Sequence, residues 1–106
     1  MKKFVLIFCG IRAQNTSNEE KKALLDKWMA WFGTIKDHVV DGGNPFLPGA
    51  KVVTAEGVEA IADKVPAISY TIINAEDMDE ATEIAQGAPV LESSEGAVRV
   101  YEVLPM

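Results

Sequence analysis

The sequence is short of cysteine, histidine and basic residues, and each shortage removes a class of function. Cys9 is the only cysteine among 106 residues, so neither an intrachain disulfide nor a thiolate zinc cluster can form. A lone thiol fits the reducing cytoplasm. His38 is the only histidine, which excludes a His-rich metal site. Sixteen Asp and Glu stand against ten Lys and Arg, for a formal net charge of −6. Such a chain has no electrostatic footprint for nucleic acid, which needs clustered Lys and Arg. No apolar run approaches the ~18 residues of a membrane span. The phosphate loop, the dinucleotide-binding glycine fingerprint and the nucleophile elbow are absent, and no loop has calcium-binding spacing. No cofactor and no metal are therefore expected.

What is present is an ordinary globular composition, 48% hydrophobic and 25% charged, at a length that fits one domain over residues 1–106. Charge is unevenly spread. Residues 1–53 carry eight Lys/Arg and five Asp/Glu, and residues 54–106 carry two and eleven. Either a solvated acidic second half or two complementary faces meeting in an oligomer accounts for this. The start, Met1-Lys2-Lys3 and then Phe4 to Cys9, has a superficial likeness to a secretion signal. The apolar run is too short, Arg12 interrupts it, and bulky Phe8 precedes Cys9 where a cleavage site needs a small residue.

Lys3 to Cys9 instead reads as a central strand buried on both faces. Gly10 to Asn18 is polar and loop-like. Ser17 and Glu20 have capping-box spacing, and Leu24, Leu25, Trp28, Trp31, Phe32 and Ile35 then form one apolar helical stripe. Gly33 is expected to loosen its last turn. His38–Asp41 and Lys51–Thr54 read as short strands of an irregular hairpin around the turn-rich stretch Gly42 to Gly49. In Ala55 to Ala67, Val58, Ile61, Ala62 and Val65 suggest a helix of at most two turns between Gly57 and Pro66. Ile68 to Asn74 is a strong strand. Asp77 and Glu80 repeat the capping spacing, with Ala81, Ile84 and Ala85 as the helix's apolar face and Gly87 and Pro89 closing it. In the last strand, Ala97 to Leu104, Val98 and Val100 share one face and Arg99 and Tyr101 the other.

This order predicts an α+β chain with a ferredoxin-like split β-α-β architecture. Its helices cover one sheet face and leave the other open, and an open apolar face on so short a chain calls for a partner. A homodimer with the two sheets facing each other is the simple solution.

A few residues are candidates for chemistry. His38 is the one side chain whose ordinary pKa lies near neutrality, and Asp41 follows three positions later. The pair fits an acid/base site, provided the Gly42-Gly43 bend re-aims Asp41, and equally a polar residue capping the junction between helix and strand. Asp41 to Phe46 packs an acid, two glycines, the Asn44 amide and an aromatic ring into one turn, suited to a ligand or to a plain tight turn. Trp28 serves either the core or a stacking wall, and Tyr70 lies mid-strand. Arg99, between two valines, faces solvent, a partner carboxylate or a ligand anion. Cys9 reads as an inert buried thiol.

Several stretches together resemble the YCII-related (DGPF) family. They are Met1-Lys2-Lys3-Phe4-Val5-Leu6-Ile7-Phe8, Trp28-Met29-Ala30-Trp31-Phe32-Gly33, Val40-Asp41-Gly42-Gly43-Asn44-Pro45-Phe46, Lys51-Val52-Val53-Thr54, Tyr70-Thr71-Ile72-Ile73, the run from Glu80 to Leu91, and Val100-Tyr101-Glu102-Val103. The likeness spans nearly the whole chain in the right order. It implies a dimeric α/β barrel of two ferredoxin-like subunits around a cavity. The family is mostly of unassigned function. Some members occur with extracytoplasmic-function sigma factors, a His–Asp acid/base pair is proposed in others, and the wider superfamily includes enzymes acting on small aromatic or lactone-like molecules. Two departures stand out. Glu56-Gly57-Val58-Glu59 replaces the family's Asp-Gly-Pro-Phe, and Asp26 or Trp28 occupies the place of its helical histidine. The pair transfers on its acid side only, to Asp41, and His38 is not inherited.

The leading expectation is a small-molecule acid/base enzyme of lyase or isomerase type. Asp41 or His38 would move the proton, Arg99 would hold an anionic group, and Trp28, Asn44 and Tyr70 would line the pocket. The alternatives are a non-catalytic ligand-binding or regulatory module tied to a transcription (sigma) factor, and a protein whose only task is dimerisation.

Overall fold

The computed structural model describes residues 1–11 and 17–106. Strands β1 (Lys2–Cys9), β2 (Val39–Asp41), β3 (Lys51–Thr54), β4 (Gly57–Ala60), β5 (Ala67–Ala75) and β6 (Ala97–Glu102) are joined by helices α1 (Asn18–Ile35) and α2 (Met78–Ala85) and a short 3₁₀ turn at Pro89–Glu92. Most of the 10–18 loop expectation, Arg12 included, lies outside the described residues.

Both helix starts follow from local chemistry. The Ser17 hydroxyl accepts from the Glu20 backbone N–H at 3.1 Å, and the Asp77 carboxylate accepts from that of Glu80 at 2.9 Å. Each satisfies a backbone donor that the first helical turn leaves orphaned. Glu80 reaches back to accept from Glu76 N–H, also at 2.9 Å. Gly33 does not end α1, which continues to Ile35. Gly87 has a packing role as well as a terminating one. A Cβ there would lie 2.8 Å from the Trp31 indole nitrogen, so its bareness lets the end of α2 close on α1.

Four of the strands form an antiparallel sheet in the order β2-β5-β1-β6, with β1 and β5 at its centre, and β3 and β4 pair separately. This is the split β-α-β pattern. α1 connects β1 to β2 across β5, and α2 connects β5 to β6 across β1. The register places Phe4, Leu6 and Phe8 beside Ile73, Thr71 and Ser69 on the helix-covered face. There Phe4, Leu6, Phe8, Thr71 and Ile73 are almost wholly buried beneath Trp31, Ile35, Ala81 and Ala85. Phe8 meets Trp28 and Trp31 edge-on, with ring centroids 5.0 and 5.7 Å apart. Such contacts add about 0.5–1.5 kcal/mol per pair beyond area burial.

Three expectations are corrected. β1 is not buried on both faces throughout, since Val5 and Ile7, on the face away from the helices, are half-covered because both helices pack on one side. The middle of the chain is not a β2–β3 hairpin. β2 pairs with β5, and β3 pairs with β4. Residues 57–60 are accordingly a strand rather than a short helix. Gly57 takes φ +141°, a left-handed backbone that closes the turn after Glu56, and β-branched Val52, Val53 and Val58 suit a pleated ribbon.

Candidate functional site

The apolar stripe of α1 does not seat evenly on the sheet. Trp31 and Ile35 are buried, whereas Leu24 and Leu25 remain 47% and 60% exposed. The first half of the helix thus stands off the sheet, and a cavity of about 350 Å³ opens between it, the end of β1 and the β2–β5 edge. Phe8, Leu25, Trp28 and Phe32 form its apolar wall. Gly42 to Pro45 and Ile68 to Thr71 form the other side.

On that second side Gly42 to Pro45 form a strap along the edge of β5, with Pro45 bridged to Ser69. Gly43 takes φ +72°, and a Cβ there would overlap the Tyr70 carbonyl oxygen, so only glycine permits so close an approach. The Thr71 hydroxyl donates to the Gly42 carbonyl at 3.0 Å. The Asp41 carboxylate accepts from Gly43 N–H at 2.9 Å, an Asx-type turn that rigidifies the bend. Phe46 N–H donates to the Ile68 carbonyl at 2.7 Å, and the Phe46 ring stacks on Tyr70 at 5.8 Å and 17°.

The structure brings three of the six sequence candidates, Trp28, Asn44 and Tyr70, to this cavity. The others lie apart. His38 sits at the α1–β2 junction, where its Nδ1–H donates to the Asn74 carbonyl at 2.9 Å and its own carbonyl accepts from Asn74 N–H at 2.7 Å. Asn74 is four residues along β5 from Tyr70, roughly 13 Å at the usual strand rise. Asp41 pairs at the level of Ile72, and among the described residues no ion pair joins it to His38. Asp41 is exposed and immediately precedes the cavity-lining Gly42. Arg99 occupies the opposite sheet face, in a recess of about 140 Å³ with Ile7, Cys9, Asp63 and Tyr101. A hydrogen bond to the Tyr101 side chain raises its guanidinium above the ordinary arginine value. The sheet thus separates Arg99 from the aromatic cavity.

Phe8, Leu25, Phe32, Ser69 and Thr71 line the cavity without having been singled out as site residues. Ser69 and Thr71 carried a signal. They are hydroxyls at alternate positions of a strand otherwise rich in apolar residues, and both face the helices. Among the described residues no group of three or more His, Cys, Asp and Glu could hold a metal ion, and no helix is long and apolar enough to cross a membrane.

The fold is shared with a dehydrochlorinase. That structure is 5-chloro-2-hydroxyhydroquinone dehydrochlorinase (TftG) from Burkholderia phenoliruptrix AC1100, in complex with 2,5-dihydroxybenzoquinone. The two superpose with a TM-score of 0.56 at 16% sequence identity, over 93% of this chain and 90% of the other. No family model matches the chain, and no curated protein does. The likeness is therefore one of fold, the α+β ferredoxin-like subunit.

Proposed function

We propose that this chain is a YCII-like protein that takes a small planar aromatic molecule into the α1 cavity, with Asp41 as the proton-moving group at its edge. The observation that carries the reading is the wall of Phe8, Trp28 and Phe32 around about 350 Å³. Functional small-molecule pockets run from about 300 Å³ upward, and a dry cavity of roughly 150 Å³ already admits benzene. One substituted ring fits, its faces against the aromatic wall and its polar substituents near Asn44 and Ser69. The TftG complex, which holds a dihydroxylated quinone on the same fold, supports this class of ligand. In a lyase or isomerase step, Asp41 would take a proton from the ligand. The electron pair left behind would expel a leaving group in elimination, or recapture a proton at another atom in isomerisation. The YCII resemblance and the half-covered sheet face support a second copy of the chain as partner.

One observation favours a non-catalytic binding module, of the kind that would serve a transcription (sigma) factor. Among the described residues, no carboxylate or imidazole lines the cavity, and Asp41 already accepts from Gly43 N–H. Titration with 2,5-dihydroxybenzoquinone and substituted phenols, read by tryptophan fluorescence, tests both readings. Saturable quenching is expected in the wild type and is lost in Leu25→Trp, which fills the cavity from an exposed position. Absence of saturation with every ring compound overturns the cavity reading. Turnover of a bound compound that falls about 100-fold or more in Asp41→Asn, with binding kept, assigns the acid/base role. Binding without turnover assigns the module.

A further inference from the structure

The β3–β4 ribbon stands apart from the rest of the fold. Its two strands pair only with each other, and all eight residues are exposed. A lone two-stranded hairpin is marginally stable in water and needs a surface to pack on. Its register supplies an apolar face. Val53 lies opposite Val58 and Lys51 opposite Ala60, with Val53 and Val58 72% and 60% exposed. Val52, Thr54 and Glu59 occupy the other face.

The whole chain carries the same imbalance. Its accessible surface is 7709 Å². A compact monomer of this mass exposes about 5,800 Å², roughly 1,900 Å² less. Its radius of gyration is 15.0 Å, against about 13 Å for a compact chain of this length. The surplus falls within the roughly 1,000–2,500 Å² that each partner of an obligate dimer buries.

We propose that the Val53–Val58 face of the hairpin is a docking arm that packs on a second copy of this chain. The second copy's open sheet face, with its half-covered Val5, Ile7 and Ile72, supplies the apolar counterpart. In a two-fold dimer the contact is made twice, so each arm covers the other chain. This rests on the two-copy reading above and adds the element that fastens it.

The test is the mass of the full chain in solution by light scattering and sedimentation over a range of concentrations. It is joined to hydrogen exchange of the 51–60 amides over the same range. Wild type is expected at twice the 11.5 kDa chain mass. Val53→Lys combined with Val58→Lys is expected to weaken dimerisation by about 100-fold or more, with the circular dichroism of the sheet retained. Should that variant fail to fold, the wild-type exchange still decides, because hairpin amides buried by a second copy gain protection as concentration rises. A folded variant as dimeric as wild type, or hairpin amides equally open at every concentration, overturns the arm and leaves the two-copy reading standing. A single-chain mass at micromolar concentration overturns both, while the ligand titration judges the cavity independently.

Discussion

Replacing Gly43 with alanine should cost far more than replacing its neighbour Gly42. At Gly43 the backbone is left-handed, and the new methyl group meets the Tyr70 carbonyl, which belongs to a central strand and has nowhere to go. The left-handed conformation alone costs a non-glycine residue about 1–2 kcal/mol. Relief of the overlap lifts the strap off β5 and breaks the 3.0 Å bond between Thr71 and Gly42. Thr71 is completely buried, so its hydroxyl would lose its partner in a place water does not reach. An orphaned group of this kind costs about 1–3 kcal/mol. Gly43→Ala should therefore destabilise the chain by about 2–5 kcal/mol, lowering its melting temperature by roughly 10 °C or more. Gly42 has open space around its would-be Cβ, and its φ lies outside the left-handed range. Gly42→Ala should stay within about 0.5–1 kcal/mol of wild type. Urea unfolding of the two variants, with equal slopes, makes the comparison. If Gly43→Ala unfolds within about 1 kcal/mol of Gly42→Ala, the strap is not held as described, and the shape of the cavity wall is in error.

Two further outcomes follow from the described contacts. Ser17→Ala and Asp77→Ala each remove a helix cap and should each lower unfolding free energy by about 1 kcal/mol, additively in the double variant, since they serve different helices. His38→Ala and Arg99→Met lie away from the aromatic cavity and should leave ring-compound affinity within about twofold of wild type by fluorescence titration. A larger loss in either variant would put that side chain back in the site.

The layers of the fold were legible because they depend on local patterns. β1, β5 and β6 announce themselves as β-branched or alternating runs, and both helix starts as acid-rich capping sequences. The β3–β4 ribbon was misread because Val58, Ile61, Ala62 and Val65 also satisfy a helical period. What decided between the readings was a cross-strand register with Val52 and Val53, which no local pattern expresses. For the site, Trp28, Asn44 and Tyr70 were found by residue type. Phe8 and Phe32 were absorbed into the core by the same rule, and the gap under Leu25 depends on how α1 seats on the sheet. The separation of Arg99 from the cavity depends on which sheet face the helices cover, and strand alternation alone leaves that choice open.

The sheet order also has a consequence for biosynthesis. β1 is made first and lies at the sheet's centre, yet its partners are β5 and β6, which begin at Ala67 and Ala97. At about 5–20 residues per second, the run from Phe4 to Phe8 emerges several seconds before any strand that can pair with it has been synthesised. During that interval the most apolar segment of the chain has both backbone edges open. The nascent protein should therefore lean on holding factors at the ribosome exit, and complete its sheet only once β6 has been synthesised.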